Sequence, residues 1–261
     1  SAAAQAAGRR LRIHVKADTG MSRLGWLCNE GHRTEAADAI AAVCALPGLE
    51  AEGIYTHFAN ADGDEAYTMG QFTRFLELLS ELEGRGITFP IRHCAASAAV
   101  LKYPCTHLDM VRPGVALYGH YPDPSCEGLD GVGLRPVMAL KTRVASVKAV
   151  PAGTPVSYGC THVLERDAEL AALTVGYADG LPRLCSDRLE VLIRGQRAPI
   201  VGRVCMDMCM ADATGLGAAP GDEVELFGEH LPVEDAAALA GTIQYELLCA
   251  VSPRVPREYL N

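Results

Sequence analysis

Residues 154–161 read Thr-Pro-Val-Ser-Tyr-Gly-Cys-Thr, and Tyr158 in that turn is the residue best suited to proton transfer in the chain. A phenol titrates near ~10 in water, so it serves as a base at neutral pH only where positive charge or hydrogen bonds favour the phenolate. Taken alone, the octapeptide reads more plainly as a tyrosine packed in a turn. Groups able to change that lie earlier in the chain. Lys16, His57, Ser97 and Arg112 each sit at or just after the end of a short apolar run. Each also has an ordinary reading: an arginine before a Pro-Gly turn is commonly a surface residue, and His93 reads equally well as a satisfied core histidine.

The elements that must position these residues alternate through the first half. Residues 11–16 are a strand candidate, fed by the end of an Ala-rich helix. A helix at 34–45 is closed by Pro47-Gly48, and a second strand is expected at 53–58. Residues 66–85 follow with Phe72, Phe75, Leu76, Leu79 and Leu82 as a helical stripe, ended by Gly84 and Gly86. Two short strands, 91–94 and 110–111, flank a helix at 97–102. Strand and helix in alternation imply a parallel sheet with crossover helices. Lys16, His57, Ser97 and Arg112 fall at the C-terminal ends of its strands, where a (β/α)8 barrel keeps its active site. Residues 1–122 are therefore expected to form a partial TIM-type barrel. Residues 123–133, rich in Pro, Gly and Asp, read as a linker, and 134–261 as a β-rich C-terminal domain. Its strands are expected at 139–150, 170–175, 189–193 and 224–227, with a short helix at 233–239.

With 261 residues, 49% of them hydrophobic, the chain can bury one large or two medium cores. A net charge of −9 argues against nucleic-acid or anionic-membrane surfaces and suits a small-molecule ligand. No apolar run is long enough for a membrane span, and the N-terminus lacks the charge order of a signal peptide. The ten cysteines are scattered, and Cys205-Met-Asp-Met-Cys209 has the wrong spacing for a zinc knuckle. A reduced, cytoplasmic, metal-free protein is expected.

The motifs taken together narrow the field. They are His14-Val-Lys-Ala-Asp-Thr-Gly-Met-Ser-Arg-Leu-Gly25, Gly53-Ile-Tyr-Thr-His-Phe58, His93-Cys-Ala-Ala-Ser-Ala-Ala99 and Met110-Val-Arg-Pro-Gly-Val-Ala-Leu-Tyr-Gly119 in the first half. Val175-Gly-Tyr-Ala-Asp-Gly180 and Val201-Gly-Arg-Val-Cys-Met-Asp207 follow in the second. In that order the set resembles bacterial alanine racemases, which use pyridoxal 5′-phosphate. The resemblance implies an isomerase that supplies D-alanine for peptidoglycan. It places Arg112 against the pyridine nitrogen, His93 behind Arg112, and His57 on the cofactor ring with a bond to Tyr158. Ser97 with the amides of Gly114 and Val115 would hold the phosphate, helped by Tyr245. Arg23 would hold the substrate carboxylate, with Lys16, carbamylated in many family members, positioning it. Tyr158, Tyr177 and Met206 would reach the active site of the other subunit of a homodimer. Tyr245, rather than a smaller polar residue, points to alanine over serine.

Two departures stand out. Ala96 occupies the place of the family's Asn before the serine, removing a polar group near the phosphate. The lysines are Lys16, Lys102, Lys141 and Lys148, and none lies in the Val-Lys-Ala-x-Ala-Tyr-Gly setting of the family's Schiff-base lysine. The resemblance thus implies the C-terminal half of the barrel followed by the β-domain, a truncated racemase inactive alone and in need of its N-terminal segment. The competing expectations are a non-catalytic chain that binds a ligand or partner, and a racemase of another small amino acid such as serine. A cofactor-independent racemase would need a pair of catalytic cysteines, and nothing singles one out.

Overall fold

The computed structural model describes residues 1–131 and 133–260; Val132, in the expected linker, and Asn261, in the expected second domain, lie outside the described residues. The chain divides into two compact units, Ser1–Arg135 and Pro136–Asn261.

In the first unit, α1 (Ala2–Ala6) leads into β1 (Leu11–Asp18), followed by β2 (Trp26–Leu27), α2 (Arg33–Cys44), β3 (Leu49–Tyr55), α3 (Glu65–Gly84), β4 (Ile91–His93) and α4 (Ser97–Lys102). The four strands pair in the order β2-β1-β3-β4, all parallel. Parallel strands covered by crossover helices are buried on both faces, and Val15, Ala17, Ile54, Ile40, Phe75 and Leu78 form the centre of this core. Helix α3 starts where Asp64 accepts a bond from the Tyr67 amide at 2.9 Å, an N-cap. Its buried stripe is Thr68, Gln71, Phe72, Phe75, Leu78 and Leu82, a helical period. Leu76, expected in the stripe, is 41% exposed because the period runs through Phe75 and Leu78 instead.

Two strand expectations need correction. The second strand is β3, Leu49–Tyr55, and not 53–58: Tyr55 is the last residue in register with β1 and β4, and His57 lies beyond it. Residues 110–111 form no strand; the only ladder contact there is an isolated parallel bridge between Ala96 and Arg112. Pro113 has no N–H to continue a ladder. The stretch expected as a linker lies within the first unit and carries two 3-10 turns, Pro124–Cys126 and Leu129–Gly131, with Cys126 buried.

The second unit is built from β5 (Leu140–Val150), β6 (Pro155–Val156), β7 (His162–Val163), β8 (Ala168–Leu173), β9 (Glu190–Ile193), β10 (Gln196–Pro199), β11 (Cys209–Asp212), β12 (Glu223–Phe227), α5 (Val233–Ala240) and α6 (Gln244–Ala250). Six strands pair antiparallel in the order β10-β9-β12-β5-β8-β11, and a bridge between Ile200 and Ala211 brings the two ends together. The sheet is therefore nearly a closed barrel, which protects its edges. Leu173, Val191, Ile193, Val224 and Leu226 fill it, and Val233, Ala236 and Leu247 of the two helices pack against them.

Phe75 is fully buried in α3. Phe75→Ala should lower stability by about 3–5 kcal/mol, measured as a shift of the urea midpoint. A loss below about 1 kcal/mol would mean the side chain does not anchor this core.

Candidate active site

Arg112 is held to the residue before α4 by the Ala96–Arg112 bridge. One terminal nitrogen donates to His93 Nδ1 at 2.5 Å; the other donates to Thr56 O at 3.0 Å and also faces His57 Nδ1 at 3.2 Å and Cys94 O at 3.3 Å. The guanidinium carbon lies 5.2 Å from the centre of the Tyr55 ring, a cation–π contact. Tyr55 in turn stacks on His93, with centroids 4.9 Å apart and planes at 3°. A guanidinium only donates, so both imidazoles must present a bare Nδ1 and carry their proton on Nε2.

Lys16 and Arg23 come from the end of β1 and the loop after it. Asp18 shapes that loop: Oδ1 accepts from the amides of Gly20, Met21 and Ser22, each at 3.0 Å. Burial alone would push this carboxyl up, but the three amides outweigh it and hold it below the usual carboxylate range. The loop leaves Arg23 exposed, while Lys16 Nζ donates to Leu24 O at 3.1 Å. Burial lowers the Lys16 ammonium, Asp18 opposes this, and the nearby charges of Arg23 and Arg112 lower it further. Desolvation, then Arg112, Arg23 and Lys16, push His57 down to about 4. Desolvation, Arg112 and His14 do the same to His93, also to about 4. The result is a cluster of three cations and two neutral imidazoles.

Ser97 opens α4. Its Oγ accepts from the amide of Gly114 at 2.8 Å and from that of Ala116 at 3.3 Å. The Gly114 amide thus points at Ser97 itself. The hydroxyl proton and the Val115 amide, first in the 3-10 turn Val115–Tyr118, remain as donors. A Cβ at Gly114 would lie 3.8 Å from that hydroxyl. Hydroxyl and amide donors at Ser97 and Val115, and a permanent cation beside neutral imidazoles at Arg112, are groups that suit a phosphorylated pyridine.

The second unit brings Tyr158, Tyr177 and Met206 onto one set of loops. Tyr177 N donates to Cys205 O at 3.0 Å and Ala178 N to Met206 O at 2.8 Å. Ser157 Oγ donates to Arg203 O at 2.7 Å and lies 3.4 Å from Cys205 Sγ. Ser157 itself sits at φ 64°, ψ −173°, a conformation nearly confined to glycine and costing about 1–3 kcal/mol. A Cβ at Gly202 would come within 2.8 Å of Ser157 Cβ, so the turn is pressed against bare backbone. Tyr158 projects from it 72% exposed, with Met206 at 58% and Tyr177 at 47%. A concavity of about 470 Å3 lies under the turn, lined by Val150, Val156, Tyr158, Leu170, Met208 and Met210. Tyr245 lies in α6, a helix the sequence reading did not anticipate, and is partly exposed.

Tyr55, Asp18 and Ser157 were not singled out from the sequence. The alternation of β3 places Tyr55 on the same side as Gly53 and could have drawn attention to it. Nothing local marks Ser157 for positive φ. The cysteines are all unpaired, and burial pushes Cys94 and Cys209 up to about 12 and Cys28 and Cys185 to about 11, which disfavours thiolate chemistry at those four.

A parallel α/β unit with a cationic pocket at its strand ends, followed by a β unit presenting an exposed tyrosine, defines a two-part enzyme scaffold. The chain belongs to the alanine racemase family. Residues 1–122 match the family model described as alanine racemase, N-terminal domain, and 137–259 the one described as alanine racemase, C-terminal domain. It is 50% identical over 264 residues to an alanine racemase of Desulforamulus reducens, covering all of this chain and 70% of that protein. It is 46% identical over 264 residues to one of Methanococcus maripaludis, covering 99% and 69%. The crystal structure of alanine racemase from Streptomyces lavendulae aligns with a TM-score of 0.91 at 40% identity, covering all of this chain and 69% of that one. The parallel unit is the TIM-barrel portion of that architecture and the second unit its β-domain. Among the described residues no helix is long and apolar enough to cross a membrane.

The two depressed histidines make stability depend on pH. Each ring binds its proton less readily when folded, so the unfolded chain carries the extra protons and stability rises with pH. Their contribution is complete above the ordinary value of 6.5 and is lost as the pH falls toward about 4. The melting temperature should therefore fall between pH 7 and pH 5, and less steeply in a His57→Gln variant. Equal slopes would remove His57 as a source of the effect.

Proposed function

We propose that the full-length enzyme containing this chain is a pyridoxal 5′-phosphate-dependent racemase that interconverts L- and D-alanine and supplies D-alanine for peptidoglycan. One observation carries the reading: Arg112 donates toward both His57 Nδ1 and His93 Nδ1, and two residues further on the Gly114 amide donates to Ser97 Oγ at the start of α4. The cofactor, when bound, makes the α-proton of an amino acid acidic by drawing electrons into its ring. Arg112 would face the ring nitrogen, and because it can only donate, that nitrogen stays unprotonated. Ser97 and the Val115 amide, with Tyr245, would hold the phosphate, and the Gly114 amide would act through Ser97. Arg23 would take the substrate carboxylate, positioned by Lys16.

Proton transfer falls to Tyr158. With His57 Nδ1 facing Arg112, its Nε2–H is the nitrogen left to donate to a phenolate oxygen. The exposure of Tyr158, Tyr177 and Met206 supports a homodimer in which these three complete the pocket of a second copy. Tyr158 would then remove the α-proton of L-alanine on one face. A lysine outside residues 1–261 would act on the other, since none of Lys16, Lys102, Lys141 and Lys148 lies in the setting of the family's Schiff-base lysine. The domain reading follows: a barrel portion ending near 122, a connecting stretch to 133, and the β-domain after it, in a cytoplasmic enzyme.

Tyr158→Phe in the full-length enzyme should slow turnover of L-alanine by roughly 10²–10⁴ while leaving binding of both enantiomers nearly intact. Unchanged turnover from L to D, followed by chiral chromatography, would remove Tyr158 from the mechanism. In the same assay alanine should be racemised faster than serine, because Tyr245 crowds a hydroxymethyl group. The reverse order would refute alanine as the substrate.

A further inference from the structure

Behind His93, on the side away from Arg112, the hydrogen-bond chain continues. His93 Nε2 lies 2.7 Å from His14 Nδ1, and His14 Nε2 lies 3.3 Å from Glu52 Oε2. The other oxygen of Glu52 accepts from Arg12 at 2.7 Å. Direction in this chain is not optional. Arg112 has no acceptor to offer, so His93 must be bare at Nδ1 and protonated at Nε2. His93 then donates to His14 Nδ1, which leaves the His14 proton on Nε2, aimed at a group that must accept. A carboxylate is the side chain that only accepts.

The backbone is built to place that carboxylate. Strand β3 carries a bulge opposite β1: Ile13 pairs with Ala51 and His14 with Gly53, leaving Glu52 as the extra residue. Bulges are uncommon in parallel pairs and re-aim a side chain beside functional sites. The next residue is glycine for a steric reason. A Cβ at Gly53 would lie 2.5 Å from His14 Nδ1 and 2.8 Å from Ile91 O, so any side chain there would push the His14 ring out of line with His93. The rings of His14 and His93 stand 4.9 Å apart with planes at 56°, so edges meet rather than faces.

We propose that Glu52 is a positioning residue which, through His14, sets the tautomer of His93 and thereby the orientation of Arg112. The bulge at Glu52 and the absent side chain at Gly53 are the structural features that allow it. Without the carboxylate, His14 can turn its proton to Nδ1, His93 can then carry its proton on Nδ1, and two donors would face each other across the 2.5 Å contact with Arg112. The effect on catalysis rests on the proposed place of Arg112 at the cofactor; the relay itself does not.

The test is nitrogen NMR of ring-labelled histidine in the full-length holoenzyme. His14 and His93 should each show a bare Nδ1 and a protonated Nε2. In Glu52→Leu both patterns should become mixed, and kcat should fall about tenfold with KM for alanine little changed, as when an outer hydrogen-bond partner is lost. Glu52→Gln, which retains an accepting oxygen, should recover most of both. If the leucine variant does not fold, Gly53→Ala reads out the same ring signals. A protonated Nδ1 on either ring of the wild type, or unchanged ring patterns in the folded variants, would overturn the proposal. Mixed tautomers with unchanged kcat would uphold the relay and refute instead the placement of Arg112 at the cofactor.

Discussion

A guanidinium with nothing to accept organises the first unit. Arg112 is held by two carbonyls and faces two imidazoles, and each imidazole can meet it only through a bare nitrogen. Neutral rings are required, and burial together with the cations of the same pocket keeps them neutral. The tautomer of His57 then leaves one N–H for whatever enters the pocket, and that of His93 leaves one N–H for His14. A lysine in place of Arg112 would lose the planar fork that serves both rings at once.

The second unit meets a different constraint. Tyr158 stands clear of the protein that carries it, and exposed loops are poorly fixed. Here the fixing is done by backbone. Ser157 is held in an unfavourable conformation by its bond to Arg203 O, while Gly202 leaves room for the turn to lie flat on the neighbouring loop. That loop also carries Met206 and bonds to the loop of Tyr177, so the three side chains are borne on loops bonded to one another. The nearly closed antiparallel sheet beneath gives these loops a stiff base. Strain at the turn, about 1–3 kcal/mol, is small against such a core.

Much of the scaffold was legible in sequence because its signals are local. The helical stripe around Phe72 and Phe75, the helix 97–102 and the long strand β5 all follow periodicity and turn residues. Leu76 misled because it neighbours two buried aromatics, and only the packing of α3 shows which way it turns. Residues 110–111 looked like a strand by composition, yet the proline after Arg112 and the lack of a partner reduce them to one bridge. Helix α6 escaped notice because Gly241 and Thr242 break the pattern before it.

By itself, the sequence determined which groups are available: an arginine before Pro-Gly, two histidines at or just after the ends of short strands, a serine at a helix start, and a tyrosine in a Ser-Tyr-Gly turn. Side-chain chemistry and the order of motifs are properties of the chain, and they were enough to indicate the class of reaction. The tertiary structure alone decided direction and neighbourhood. Tyr55 under Arg112, the one-way line from Arg112 to Glu52, and the positive φ of Ser157 depend on contacts between segments dozens of residues apart. A bulge of one residue in β3 turns Glu52 toward His14. Periodicity cannot signal such a feature, because it exists only in the pairing of two strands.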